Sequence, residues 1–465
     1  MTQGQAATPS TTHLNRVLGM PSLVLFGLAY MVPLTVFTTY GVVTKTTDGH
    51  LPTAYIVTLV TMVFTAYSYG RMVQAHPFAG SAYTYTQKSF GPHLGFMTGW
   101  ALMLDYIFLP MINYLVIGIY MSASFPAVPS WVWIVGAILA VTTLNVLGIT
   151  LVTKANFLLV AFQLVFIVVF LAMSFRTVAQ QGTPSLVQPL VDSDLQLSAV
   201  LAGAAVLCLS FLGFDAVSTL SEETRDARRR IPRAIMIVTL AGGAMFIGIS
   251  YVGHLVFPRW QEFTNVDSAA LDVMRSTGGA FLVVFFTAAY VAGCFASAMA
   301  SQASVSRILY AMGRDGALPR RVFGRLHKHF LTPFLATLIV GLISLVALAI
   351  SLGLAASMIS FGALVAFSFV NLSVIKHFVI DQGRRGSRDL IQYGVVPGIG
   401  VLLTLWLWTS LSGTTFQVGL AWVAAGFVYL LGLTRLFTRR PPELRLSEEE
   451  LAEEANEPQP SRAGQ

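Results

Sequence analysis

Two acidic residues, Asp105 and Asp215, lie inside apolar stretches long enough to cross a bilayer, while the other 19 of the 21 fall in loops, helix ends or tails. A carboxylate at that depth costs about 2.5–3.5 kcal/mol on insertion scales unless something balances it. No lysine or arginine occurs at comparable depth, so the pair calls for an external cation or for protons. Asp215 belongs to Cys208-Leu-Ser-Phe-Leu-Gly-Phe-Asp-Ala-Val-Ser-Thr219, two residues beyond Gly213. That glycine loosens the helix where backbone groups face a cavity. The plainer alternative is a structural Asp215 paired to backbone or to a neighbouring helix. Asp105 lies about a dozen residues into its helix, roughly 18 Å deep at 1.5 Å per residue. Tyr106 and Asn113 share a face of that helix, and Asp105 points about 100° away from Tyr106. Tyrosine and phenylalanine beside a carboxylate hold an amine by cation–π contact; aromatic residues at helical spacing also simply pack. Both readings apply to Tyr106 and Phe211.

The elements that must position these groups are membrane helices. The chain has 465 residues, 55% of them hydrophobic and 11% charged, with mean hydropathy +0.71. A soluble protein carries about twice that charge, and a crossing needs about 20 apolar residues. Helices are expected near 19–44, 52–75, 93–124, 130–150, 156–176, 197–221, 233–257, 278–311, 334–352, 357–379, 393–411 and 415–437. The fold class is therefore all-α polytopic membrane protein. In the first helix Pro33 removes an N–H and clashes with the preceding turn, which predicts an interruption near Tyr30–Leu34. The sixth is weakened at Gly213, about 180 residues on, at the corresponding place in a second set of five. Paired interrupted helices indicate an inverted-repeat transporter with its site at the breaks. The domains expected are a first repeat over 19–176, a second over 197–379, two added helices over 393–437, and tails over 1–18 and 438–465. The last of these is acidic and expected to be disordered.

The net charge of +7 is a topology signal and not a nucleic-acid footprint. With the N-terminus inside, 24 of the 28 lysines and arginines fall on the cytoplasmic side, and only Lys45, Arg176, Arg259 and Arg275 fall outside. That split satisfies the positive-inside rule and places both termini in the cytoplasm. The polar N-terminus has no cleavage pattern, so the first apolar run is read as a retained helix. The loop from Ser221 to Arg233 is charge-dense, and Glu222 at its start is either part of a solvated anchor or an inner gate paired with these arginines. The stretch from Gly80 to Gly91 is too polar to span and reads as a short interfacial helix. Ser297, Ser301, Gln302 and Ser304 offer polar groups towards the bundle or glue helices together. Cys208 and Cys294 read as small buried hydrophobes. No Walker loop, dinucleotide glycine fingerprint, HExxH or paired CxxC occurs, so neither enzyme chemistry nor a cofactor or metal is expected.

Several blocks together resemble the amino acid–polyamine–organocation superfamily. They are Pro77-Phe-Ala-Gly-Ser-Ala-Tyr83 running on to Gly99-Trp100; Gly213-Phe-Asp215 followed by Ser-Glu-Glu-Thr and Ile231-Pro-Arg-Ala-Ile; and Ser306-Arg-Ile-Leu-Tyr-Ala-Met-Gly-Arg-Asp-Gly-Ala-Leu-Pro319. More narrowly, Gly27-Leu-Ala-Tyr-Met-Val-Pro-Leu-Thr-Val-Phe37, Leu104-Asp-Tyr-Ile-Phe-Leu-Pro-Met-Ile-Asn113 and Ile359-Ser-Phe-Gly-Ala-Leu-Val-Ala-Phe367 are similar to bacterial proton-dependent putrescine importers. The likeness runs from about Leu18 to Arg435. It implies the five-plus-five fold, with substrate held between interrupted helices one and six, and it matches Asp215 to an acidic position serving substrate binding or gating. Relatives that carry amino acids hold the α-carboxylate at a glycine-rich break in helix one; here no glycine occurs between Gly27 and Gly41, which favours a diamine. A helix-five lysine of some proton-coupled relatives is matched here by Gln163, which leaves Asp215, Asp105 or Glu222 to take the proton.

The expected function is secondary import of putrescine or a similar short diamine, coupled to protons, in a bacterial cytoplasmic membrane. Asp215 would bind one ammonium, Asp105 would set substrate charge or carry the proton, and Tyr30, Tyr106, Phe211, Asn113 and Gly213 would shape the pocket. The partners are a small cationic amine, protons and membrane lipids, with no nucleic acid. An amino-acid permease or diamine/amino-acid exchanger is the alternative within the fold, and a non-transporting sensor is the alternative outside it.

Overall fold

The computed structural model describes residues 18–77, 81–147, 150–181, 185–314, 318–326, 332–438 and 441. The terminal tails expected over 1–18 and 438–465 lie almost wholly outside them. The helices are α1 (Met20–Met31), α2 (Tyr40–Thr46), α3 (Leu51–Ala75), α4 (Ser81–Phe90), α5 (Pro92–Ser124), α6 (Ser130–Leu147), α7 (Thr150–Gln181), α8 (Leu197–Leu207), α9 (Ala227–Val256), α10 (Ala270–Arg314), α11 (Arg320–Phe323), α12 (Phe334–Ser344), α13 (Leu352–Val374), α14 (Ser387–Leu390), α15 (Val396–Thr409) and α16 (Gly413–Leu433). Among the described residues eleven segments are long and apolar enough to span a membrane, and the shorter apolar stretch Phe334–Leu348 stands in the place of the ninth expected crossing. Hydrocarbon offers no water to backbone groups, so a helical bundle satisfies them internally.

The first span breaks where proline requires it. Helix α1 ends at Met31, Val32 takes φ +52°, and a 3-10 turn over Pro33–Phe37 leads to α2. The sixth expected span is α8, a 3-10 turn over Cys208–Phe211, a non-helical stretch with Gly213 at φ +132°, and a 3-10 segment over Ala216–Glu223. The two breaks touch. A Cβ placed on Gly213 would lie 2.9 Å from the Gly27 carbonyl oxygen and 2.9 Å from the Met31 nitrogen. Around them α3 packs on α9, and α5 packs on both α10 and α13. The interfacial helix expected over 80–91 is α4.

Three boundaries differ from expectation. The eighth helix begins at Ala270, not 278, because Gly278 and Gly279 kink it instead of starting it. The ninth loses α-helical form after Ser344, where a 3-10 turn runs to Leu348. Wider π turns lengthen the chain on either side of the α13–α15 connection, over Ile375–Asp381 and Ile391–Val395.

At Gly213 the positive φ and the approach of α1 both exclude a side chain. Gly213→Ala is expected to cost about 1–3 kcal/mol, read as a fall of a few degrees in the unfolding midpoint of the solubilised protein. Gly136→Ala, in the interior of α6 where a Cβ meets nothing within 4 Å, is expected to leave that midpoint unchanged or raise it slightly.

Candidate functional site

The breaks deliver a polar centre to the middle of the bundle. Asp215 is 4% exposed and caps its own break, its Oδ1 accepting from the Gly213 N–H at 3.0 Å. Asp105, on α5, is also 4% exposed, and its Oδ1 is buried without a hydrogen-bond donor. Close packing puts it there: a Cβ on Gly362 of α13 would sit 3.0 Å from the Asp105 nitrogen and 2.9 Å from the Ala101 oxygen. Asp105, Asp215 and the hydroxyls of Tyr30 and Tyr106 lie within Coulombic reach of one another. Among the described residues no basic side chain forms an ion pair with either carboxylate.

Beside this centre lies a cavity of two adjacent lobes that share part of their lining. The larger, about 100 Å³, lies between Phe26, Ala29, Tyr30 and Val32 of the first span, Leu109 of α5, Gln163 of α7 and the small residues Gly293, Ala296, Ser297, Ala300 and Ser301 of α10. The smaller is lined by Thr35, Thr38, Ile112, Asn113, Leu209 and Leu212 and shares Tyr30, Val32, Leu109 and Ser297 with the first. Asn113 donates both amide hydrogens, to the Leu109 carbonyl at 2.8 Å and to the Ser297 hydroxyl at 3.0 Å. Its carbonyl oxygen is thereby left to accept from an occupant. Helix α1 also aims its C-terminal, carbonyl-bearing end at this space, a field that favours a cation.

The expected site residues thus divide. Tyr30 and Asn113 line the cavity, and Asp105, Asp215 and Tyr106 cluster next to it, linked to it through Tyr30. Gly213 forms the contact between the breaks. Phe211 is fully buried and packs edge-on against Phe246 at 5.6 Å, apart from both lobes. Glu222 ends the 3-10 segment after the break, and its side chain lies outside the described residues.

Residues not singled out in the sequence complete the surroundings. Tyr69 of α3 and Tyr85 of α4 are within Coulombic reach of Asp215. Tyr69 meets Tyr85, Phe214 and Phe367 edge-on at 5.7–6.1 Å. Their hydroxyls lie near Ser81 and Ser218 without reaching hydrogen-bond geometry. In the sequence these tyrosines have ordinary helical spacing, and only the fold brings α3 and α4 to the carboxylate. On the side of Lys45 an aromatic seal closes the cavity. Phe37 meets Phe170 at 5.8 Å and Phe286 at 5.1 Å, the Tyr120 hydroxyl donates to the Phe37 carbonyl at 3.1 Å, and Thr38 shares a 2.5 Å hydrogen bond with Tyr290. At the other end a backbone bridge ties Leu18 to Thr224. A cavity at the first break, with two carboxylates close beside it and no basic side chain paired to them among the described residues, is suited to receiving a small cation.

Comparison with known proteins agrees with this architecture. The profile described as "Amino acid permease" matches residues 22–432, and the chain belongs to that family of transporters. It is 41% identical over 442 residues to the low-affinity putrescine importer PlaP of Escherichia coli (strain K12), covering 94% of this chain and 98% of that protein. It is 26% identical over 454 residues to the branched-chain amino acid permease BcaP of Bacillus subtilis (strain 168), covering 91% and 94% of the two chains. The methylthioribose transporter of the same organism is 26% identical over 449 residues, with 92% and 95% covered.

The seal yields a direct test. In a Cys208→Ser background, Phe37→Ala is expected to raise several-fold the labelling of Cys294, which is 2% exposed, by a membrane-impermeant thiol reagent added on the Lys45 side. An unchanged rate would place the barrier elsewhere.

Proposed function

We propose that this transporter imports putrescine or a similarly short diamine in symport with protons, with both termini in the cytoplasm. The observation that carries the reading is the pair of buried carboxylates without a basic partner among the described residues, set beside a cavity where two helices break. A dication needs counter-charge in a low-dielectric site. Asp215, fixed by the Gly213 N–H, receives one ammonium; the Asn113 carbonyl and the Ser297 hydroxyl receive the other; Tyr30 stands between them as a cation–π face. Asp105, with its undonated Oδ1, carries the proton. Glu222 serves as a gate on the cytoplasmic side. The likeness to a putrescine importer supports the substrate class, and the distribution of lysine and arginine supports the orientation.

A second reading, an amino-acid permease or exchanger, draws on the similarity to BcaP. It is disfavoured by the first break, which holds no glycine and therefore builds no open nest of N–H groups for a carboxylate.

Radiolabelled putrescine in proteoliposomes tests the proposal. Accumulation is expected only with an inward proton gradient, and Asp215→Asn is expected to lower uptake at least about 30-fold, since leaving a buried charge unpaired costs about 2–5 kcal/mol. Asp105→Asn is expected to keep putrescine exchange while abolishing gradient-driven accumulation. Counterflow that needs preloaded amine and ignores pH would make the protein an exchanger, and full activity of Asp215→Asn would remove that residue from the site.

A further inference from the structure

Far from the cavity, at the end of the bundle that carries most of the basic residues, α3 and the two π turns converge on Tyr393. The Arg71 guanidinium lies 4.7 Å from the Tyr67 ring and 5.5 Å from the Tyr393 ring. The Arg384 guanidinium lies 5.7 Å from Tyr393 and 5.4 Å from Phe378, which itself stacks on Tyr393 at 4.2 Å. Both guanidiniums therefore lie within about 6 Å of one ring. Arg71 donates only to neutral groups, the Tyr67 hydroxyl at 2.8 Å, Gln74 at 3.1 Å and Gln392 at 3.4 Å. Among the described residues no carboxylate pairs with Arg71 or Arg384. Asp381, the neighbouring acid, is taken by Lys376. His76 and His377 meet at 4.8 Å in the same region. Burial above all, with smaller contributions from the nearby charges of His377, Lys88 and Arg228, lowers the His76 pKa to about 4.

Orientation in the membrane requires positive charge on one side but no particular geometry. Two guanidiniums converging on one ring with neutral partners go further, and what adjoins them decides the ligand class. Ile391, Val395 and Leu402 are 57%, 50% and 68% exposed and recur at spacings that keep one helical face. An amphiphile bound at the arginines has this apolar face of the span to lie along. We infer that Arg71 and Arg384, both beside Tyr393, form a binding site for the phosphate of an anionic phospholipid, with its acyl chains along Ile391, Val395 and Leu402. Planar guanidiniums suit phosphate oxygens, and basic recesses between membrane helices at the cytoplasmic face are where such headgroups are held. The site is independent of which solute the cavity carries.

Native mass spectrometry of the full-length protein, titrated with phosphatidylglycerol or phosphatidylcholine of matched chains, tests the inference. Phosphatidylglycerol is expected to bind at least about tenfold more tightly. The Arg71→Gln/Arg384→Gln double variant is expected to lose about 30-fold in that affinity, at about 1 kcal/mol per basic group, while Arg71→Lys/Arg384→Lys, which keeps the charge without the planar fork, loses less. Equal affinity for the two lipids, wild-type binding by the glutamine variant, or displacement by equimolar inorganic phosphate would overturn the proposal. The first and last of these are read on the wild-type protein and do not depend on a variant folding.

Discussion

The constraint on which this structure depends is that a backbone group inside hydrocarbon must be satisfied within the protein. Two spans violate helical continuity, at Val32–Pro33 and at Leu212–Asp215, and the architecture answers by placing the violations against each other. Gly213 gives up its side chain so that α1 comes within reach, and its N–H is taken by the Asp215 carboxylate two residues on. One carboxylate therefore stabilises the break and presents charge to the neighbouring space. The second, Asp105, has no comparable partner, and the packing of α5 between α10 and α13 holds it away from water.

Much of this was legible in the chain. Pro33 and Gly213 announce interruptions because their backbone chemistry allows little else, and the depth of Asp105 and Asp215 follows from counting along apolar runs. What was not legible depends on which faces meet. Phe211 and Tyr30 look alike as aromatic residues near a break, yet one packs against Phe246 and the other lines both lobes of the cavity. Tyr69 and Tyr85 carry no local mark at all, because their proximity to Asp215 arises from packing between segments more than a hundred residues apart. The glycine pair at 278–279 was ambiguous between a start and a kink, a choice made by the contacts of the helix and not by its propensity. Gln163, expected from the resemblance to stand at a lysine position of some relatives, lies on the wall of the larger lobe.

The walls of the cavity are unequal. On one side α10 contributes Gly293, Ala296, Ser297, Ala300 and Ser301, small residues that leave the space of the larger lobe open between α10 and the first span. On the Lys45 side the barrier is a cluster of large rings held by two hydroxyl hydrogen bonds. In the proposed transport cycle, access from the Lys45 side would require these aromatic edges to part, whereas the α10 wall offers no comparable cluster of rings.

Parting those rings has a thermodynamic signature of its own. Water that enters between Phe37, Phe170, Phe286 and Tyr290 hydrates apolar surface, and such hydration raises heat capacity. The barrier for opening towards the Lys45 side therefore changes its enthalpic and entropic character with temperature, and the Arrhenius plot of that half-cycle bends. The opposite half-cycle, which leaves the rings dry, stays closer to a straight line. In the proposed cycle one aromatic cluster would thus make the two half-cycles respond differently to warming.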